Sequence, residues 1–232
     1  LYDASRVTLV PGSVATTTNA ATDFAGSRQP LVASFEFNSE TITVINNHFS
    51  SKGGSSPLFG AVQPSTNGSA ADRLVQAQNV ANYVSSLGSS AKVVVLGDLN
   101  EFTNEESLAP LGAAGLASMS LTLTETERYS YNFEGNAQEL DQVYVSANLT
   151  TTTTLDIVHI NSEFVTTAAT ASDHDPSVIA ITIAAPGPAP FAPGDIAFVG
   201  FNADGNDDLA FVALREIAAG TVIYFNDREW TG

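Results

Sequence analysis

The sequence predicts an α/β protein: a layered α/β sandwich, incomplete at its N-terminus and followed by a partial β-rich module. Three observations predict it. The apolar run Val93-Val94-Val95-Leu96 reads as a strand buried on both faces. A helical repeat over Ala70 to Leu87 precedes it, and alternating runs lie on either side. Strands linked by a helical crossover make a layered fold.

Taken in order, Arg6 to Val10 is a short β-like run. Leu31 to Phe37 and Thr41 to Ile45 read as antiparallel neighbours joined by a turn at Asn38-Ser39-Glu40. Ser50 to Asn67, rich in Gly, Ser and Pro, is a loop. In the helix, Leu74, Ala77, Ala81 and Val84 share one face. Ser69 is placed to cap it with Asp72 as capping-box partner, and Gly88 to end it. Lys92 to Leu96 is the buried strand. Leu108 to Leu116 reads as a short helix, and Tyr129 to Phe133 and Gln142 to Val145 as strands. Thr150 to Thr154 reads as an exposed turn or strand edge, and Val178 to Ile183 as a final strand.

Pro186, Pro188, Pro190 and Pro193 make residues 185–194 a semi-rigid linker between a domain at 1–184 and a module at 195–232. Three β runs, beginning at Ile196, Ala210 and Thr221, are too short to bury a good core alone. The chain opens on Leu1-Tyr2-Asp3 and closes on Trp230-Thr231-Gly232, and truncation at both ends is expected.

With 44% hydrophobic residues in 232, the chain can build a real core. No run is long and apolar enough to span a bilayer. The absence of Cys excludes disulfides and thiolate metal sites. The Thr/Ser/Asn/Ala-rich, lysine-poor texture points to an extracellular or cell-surface bacterial protein. Twenty-five acidic against 8 basic residues leave a net charge of −17, which runs against nucleic-acid binding through basic patches. A polyanion would need bridging divalent cations, or basic residues focused at one rim. The plain reading is an acidic surface that maintains solubility.

Four predicted strand ends carry chemistry-bearing residues: Asn47-His48, Gly97-Asp98-Leu99-Asn100, Asp141, and Ser172-Asp173-His174-Asp175-Pro176. Open α/β sheets place ligands where strands meet loops. An imidazole between carboxylates, beside an Asp-x-Asn tip, suits activation of water near a divalent cation. Plainer readings stand beside each. Asp98 and Asn100 could be turn formers, His174 a cap or surface residue, His48 a loop residue and Asp141 a strand-end cap. Arg28 could meet a phosphate or form a surface ion pair. Lys52 reads by default as a solvated loop lysine, and Arg73 and Gln76 as structural. Tyr129 and Tyr131 could stack on substrate, although aromatic strand residues are more often core. His159 has no evident partner. Asp204, Asp207 and Asp208 lack EF-hand spacing and read as a turn.

Together with Ser27-Arg28-Gln29-Pro30-Leu31-Val32, Asn47-His48-Phe49 and Leu140-Asp141-Gln142-Val143, these motifs resemble the endonuclease/exonuclease/phosphatase superfamily. That superfamily has the deoxyribonuclease-I-like fold, and the resemblance covers roughly Leu1 to Ala184. The loop from Asn47 to Gly54 is similar to that of bacterial secreted nucleases. The resemblance implies a divalent-metal-dependent phosphodiester hydrolase, an extracellular nuclease acting on DNA or RNA. His174 would be the general base and Asp141 its orienting partner. Asp173 would hold metal, and Asp98 would position the nucleophile or hold metal. Asn100 would donate to a phosphate oxygen, while His48 would bond the phosphate and help the leaving group depart. Asn47, Arg28 and Tyr131 are expected at the substrate. Mg²⁺ is expected, with Mn²⁺ or Ca²⁺ as alternatives, because the donors are oxygens.

The superfamily's metal-binding Glu and an amide-bearing Asn come from the N-terminal half of the domain. This chain has no counterpart of them, so it is expected to hold the C-terminal part of the domain and to lack part of the active site. Nucleic acid is the expected partner, with no membrane and no obligate protein partner. The alternatives are an inositol- or lipid-phosphate hydrolase and a non-catalytic domain of a modular surface protein. The lack of Cys, and Gln142 beside Asp141, weigh against the first; the Asp141/His174 pair weighs against the second.

Overall fold

The computed structural model describes residues 1–57, 59–165, 167, 170–185, 192, 194–202, 208–217, 221 and 223. The chain divides into two compact units, Leu1–Ala184 and Ala185–Gly232.

The first unit is built on a six-stranded mixed sheet. Its strands are β1 (Thr8–Leu9), β2 (Arg28–Phe37), β3 (Glu40–His48), β4 (Lys92–Asp98), β5 (Leu116–Ser118) and β8 (Asp141–Ser146), in the order β1-β2-β3-β4-β8-β5. The β3–β4 pair is parallel and the other pairs are antiparallel. Parallel neighbours need a crossover, supplied here by α2 (Ala70–Ser86). Two short helices, α1 (Ala20–Asp23) and α3 (Ala109–Ala113), flank it in sequence. A hairpin of β6 (Tyr131–Phe133) and β7 (Asn136–Gln138) precedes β8, and β9 (Thr153–Ile157) pairs antiparallel with β10 (Ser177–Ile181) as a second small sheet.

Both faces of the main sheet are covered at its centre. On one, Ile45, Val93, Val95 and Tyr144 share a core with Ala77, Val80 and Val84 of α2 and with Leu108 and Leu111. On the other, Val94, Val143 and Val145 share a core with Leu155 of β9, flanked by Ile179 and Ile181 of β10. This double cover explains the unbroken apolar run of β4, in which successive side chains alternate between two dry faces. The result is the layered α/β architecture expected.

Several local expectations are corrected. The buried face of α2 runs through Arg73, Ala77, Val80 and Val84, while Leu74 is 44% exposed. A charged side chain takes the inward position because Glu101 waits there. Ser69 does not cap α2: it lies in the left-handed region (φ 54°) and its side chain makes no capping bond. Gly88 (φ 88°) does follow the last turn, as a helix-ending glycine should. The end of the predicted Leu108 to Leu116 helix is a strand, β5. The threonine run forms a 3₁₀ turn over Ala147–Thr152 and then enters β9, whose Leu155 and Ile157 are buried.

In the second unit, β11 (Ile196–Asn202) and β12 (Asp208–Ala213) form an antiparallel hairpin with an irregularity between Phe198 and Gly200. The linker prolines Pro186, Pro188, Pro190 and Pro193, most of the run from Thr221 to Phe225, and Asp204 and Asp207 lie outside the described residues.

A buried ionic hub ties the loop after β3 to the loop after β4. Glu101 is fully buried. Its Oε2 accepts from Arg73 Nε and Nη2 (3.0 and 2.9 Å), Asn67 Nδ2 (2.8 Å) and Ser107 Oγ (2.8 Å), and its Oε1 accepts from Lys52 Nζ (2.6 Å). Arg73 also donates to the carbonyls of Ser50 and Ser51. Lys52, expected in solvent, is therefore a member of the hub. Burial pushes the Glu101 carboxyl up, but the bonds from Lys52, Asn67 and Ser107 outweigh it and hold the group at about 2, against an ordinary 4.5.

Two stability predictions follow from the hub and its surroundings. Arg73→Met should cost about 3–5 kcal/mol in chemical denaturation, because it leaves Glu101 buried with an incomplete set of partners. A depressed carboxylate stabilises the fold above its unfolded-state value. The Glu101 contribution should thus be intact above pH 4.5 and drain away as pH falls toward about 2. A Glu101→Gln variant, compared with the parent across an acid titration, should lack that component of the pH dependence.

Candidate active site

The register of the main sheet builds the site. His48, the last residue of β3, is the Cα partner of Asp98, the last residue of β4. Asp98 is in turn the partner of Asp141, the first residue of β8. On the far side, Arg28 of β2 is the partner of His48. Partner positions share a sheet face. Along β4 the parity runs Val94, Leu96, Asp98, and along β8 it runs Val145, Val143, Asp141. The face that packs on β9 and β10 therefore ends in a polar row from four adjacent strands.

Gly97 makes the close approach possible. Its φ is +124°, and a Cβ there would lie 2.1 Å from the Asn47 carbonyl oxygen. Beyond it, the Asp98 carbonyl accepts from Phe49 N (2.9 Å) and the Leu140 carbonyl from Leu99 N (3.0 Å), which carries the pairing past the strand ends. Asn100, at φ 50°, turns the chain back. Its backbone N–H donates to Asp98 Oδ1 (2.9 Å), and its side-chain amide donates to Asp98 Oδ2 (3.0 Å) and the Phe49 carbonyl (3.1 Å).

His174 arrives from the loop before β10. Its Nδ1 is 2.6 Å from Asp141 Oδ2, and its ring stacks on Tyr131 with centroids 4.5 Å apart. The hydrogen bond to Asp141 raises the affinity of the imidazole for a proton; burial opposes this, and the charges of Asp141, Asp98 and Asp173 add to it. Such an imidazole is a stronger base than an isolated one. The Asp98 carboxyl is pushed up by burial and then by Asp141, while Asn100 N–H, His174 and His48 pull it down. His48 Nε2 lies 3.6 Å from Asp98 Oδ2, and the Arg28 guanidinium rests against the His48 ring, with Nη1 2.5 Å from Nδ1 and 3.0 Å from Nε2.

The structure thus brings Arg28, His48, Asp98, Asn100, Asp141, His174 and Tyr131 together. Two expected contacts do not match the bonding found. The Asn100 amide hydrogens point at Asp98 and Phe49 rather than outward to a phosphate. Asn47 is buried, with its amide donating to the carbonyls of Ile45 (2.9 Å) and Leu96 (3.2 Å), so it braces the sheet rather than facing a substrate. The ligand atoms of Asp98, Asp141 and His174 lie within 4.8 Å of one another, and Asp173 is not in that group.

A divalent cation fits this cluster. Two carboxylates share a half-buried spot, and one is driven toward its neutral form by burial and by the other. Asp141 engages Nδ1 of His174, so the cluster offers an ion the carboxylate oxygens of Asp98 and Asp141 and the Nε2 of the ring. Oxygen donors of this kind suit hard cations.

Two further groups shape the site. Asp175 is 2% exposed and accepts at Oδ1 from the backbone N–H of Ile160 (3.0 Å), Asn161 (2.7 Å) and Ser162 (2.9 Å). Its Oδ2 meets Ser162 Oγ and His159 Nδ1, so His159 has a partner after all. Burial pushes Asp175 up, but these donors hold it at about 2. Ser130 is the other group. Its position between two tyrosines gave no sign of a role, whereas Asp175 was visible in the motif beside His174.

Tyr129 and Tyr131 are not core residues. Tyr129 stacks on His159 at 4.1 Å and Tyr131 on His174.

The sequence profile described as the Endonuclease/Exonuclease/phosphatase family matches residues 1–174. No curated protein matches the chain. Among solved structures, D. rerio TDP2 humanized by 14 mutations aligns at TM-score 0.55 and 20% identity, covering 75% of this chain and 67% of that one. D. rerio TDP2 complexed with a single-strand DNA product aligns at TM-score 0.52 and 17% identity, over 75% and 68% of the two chains. The human Nocturnin catalytic domain with bound sulfate aligns at TM-score 0.50 and 15% identity, over 77% and 61%. At these identities the likeness is one of fold, and this chain spans about two thirds of each of those chains. With the fold, the strand-end cluster and a profile match across most of its length, the chain belongs to the Endonuclease/Exonuclease/phosphatase family.

Proposed function

We propose that the chain carries the hydrolytic site of a divalent-cation-dependent phosphodiesterase acting on DNA or RNA in an extracellular setting. The family as a whole acts on phosphoester bonds. One observation carries the finer reading: His48, Asp98 and Asp141 stand in one row of the sheet, and His174 is bonded to the last of them. A similar structure holding a single-strand DNA product supports the substrate class. The Thr/Ser/Asn/Ala-rich, lysine-poor composition supports the extracellular setting.

In this mechanism His174 takes the proton of the attacking water at Nε2, since Nδ1 is committed to Asp141. Asp141 fixes the tautomer and steadies the imidazolium that forms. Asp98, its carboxylate set by Asn100, orients the water. His48 and Arg28 meet the phosphate at the rim and steady the departing oxygen. Asp98 and Asp141 would hold the cation, with Mg²⁺ or Mn²⁺ the best suited; when bound it neutralises charge on the phosphoryl group.

The test is turnover of plasmid DNA and single-stranded oligonucleotides by the full-length protein with Mg²⁺ or Mn²⁺, with and without EDTA. Chelation should abolish cleavage and added metal should restore it. His174→Ala should lower the rate about 10²- to 10⁴-fold, the usual span for a lost general base, and leave the circular-dichroism spectrum unchanged. Asp98→Ala should also lose most of the rate. Near-normal cleavage in His174→Ala, or metal-independent cleavage, would overturn the reading. Release of phosphate from inositol phosphates without DNA nicking would move the substrate to that class.

A further inference from the structure

We infer that Ser130 is the positioning residue of the Asp141–His174 pair. It is fully buried, immediately before the β6–β7 hairpin. Its hydroxyl donates to Asp141 Oδ2 (2.6 Å) and accepts from Asp141 N (3.1 Å). Its carbonyl accepts from Asp175 N (2.7 Å), and its own N–H donates to the Gln138 carbonyl (3.0 Å). One side chain and its backbone therefore hold the start of β8, the segment just after His174 and the end of the hairpin.

The direction of the hydroxyl proton follows from the partners. A serine oxygen has one hydrogen to give. A lone pair takes the Asp141 N–H, so the hydrogen goes to Oδ2, the same carboxylate oxygen that receives Nδ1 of His174 at 2.6 Å. The carboxylate cannot rotate without breaking both bonds. This locks Oδ2 under the imidazole and leaves Nε2 to face the site. The backbone bond from Asp175 fixes the other side, because Asp175 adjoins His174 and is anchored by the turn at 160–162. The Asn161 side chain completes the clamp by donating to the His174 carbonyl (2.7 Å). Removing the hydroxyl keeps every bond made by the Ser130 backbone and deletes two bonds to Asp141, the tether on its carboxylate and the acceptor of its N–H.

The inference rests on the hydrolase reading for its kinetic arm alone. The direct test is NMR of the ¹⁵N-labelled chain, following the hydrogen-bonded Nδ1–H resonance of His174, assigned by its loss in His174→Ala. In Ser130→Ala that resonance should shift and broaden. Ser130→Cys, which keeps the shape and weakens the donor, should shift it in the same direction, and it provides the measurement if the Ala variant does not fold. Ser130→Thr, which keeps a hydroxyl, should retain the parent signal. In the kinetic arm, Ser130→Ala should lose tenfold or more in kcat with KM within twofold, and Ser130→Thr should restore most of it. A parent resonance and parent kcat in Ser130→Ala and Ser130→Cys, with only a lower melting temperature, would reduce Ser130 to packing and overturn the inference. A Ser130-dependent resonance in a full-length protein that cleaves no phosphodiester supports the inference and overturns the hydrolase reading instead.

Discussion

The position of β4 between a parallel neighbour and an antiparallel one is the constraint on which the site depends. Two ladders must end at the same level for His48, Asp98 and Asp141 to become partners. A slip of one residue would turn the Asp98 carboxylate to the opposite face of the sheet and away from His48 and Asp141. The pairing of β4 with both neighbours therefore determines which side of the sheet receives the Asp98 carboxylate. Gly97 is where the constraint is tightest. Any side chain there would strike the Asn47 carbonyl, and the backbone sits at a φ that L-residues rarely adopt. Strand pairing and the Gly97 close approach thus place the polar groups through the backbone.

Two deeply buried carboxylates then hold the loops that leave this scaffold. Glu101 secures the segment after β4 and the loop from Ser50 to Asn67; Asp175 secures the segment after His174 and the turn at 160–162. A buried charge is costly unless its acceptor sites are filled. Both groups stay ionised at neutral pH because donors surround them. The reactive-type carboxylates contrast with them. Asp98 is pushed up by burial and by Asp141, although Asn100 donates to both of its oxygens. Carboxylates held well below their ordinary range anchor the loops, and one pushed above it marks the candidate site.

This division explains what the sequence could and could not show. Asp98, Asn100, Asp141 and His174 were legible because each follows or precedes an apolar run, and residue type at a strand end carries meaning on its own. The partners that position them were not. Lys52 looked like a solvated lysine because nothing local reveals that Glu101, 49 residues away, lies beside it. Leu74 looked inward-facing because apolar periodicity does not anticipate an arginine drawn into the core by a distant carboxylate. The entry into β9 was hidden by a threonine run whose local texture suits turns, although Leu155 and Ile157 alternate as a half-buried strand should. Asn100 was legible as a site residue but not in what its amide binds, and Asn47 turns inward to brace the sheet, since an amide can serve backbone or ligand equally well.

The charge balance bears on how such a site could meet a polyanion. With a net charge of −17, the chain as a whole repels phosphate at long range, but the screening length in physiological salt is only about 8 Å. Inside that distance the local row matters more than the total. Arg28 stands beside His48 at one end of it, and the Asp98–Asp141 pair stands at the other as a place for a cation. A phosphodiester lying along the row would meet guanidinium, imidazole and cation in sequence, each favouring its negative oxygens. Without an ion the same row presents two carboxylates, the arrangement least hospitable to an anion.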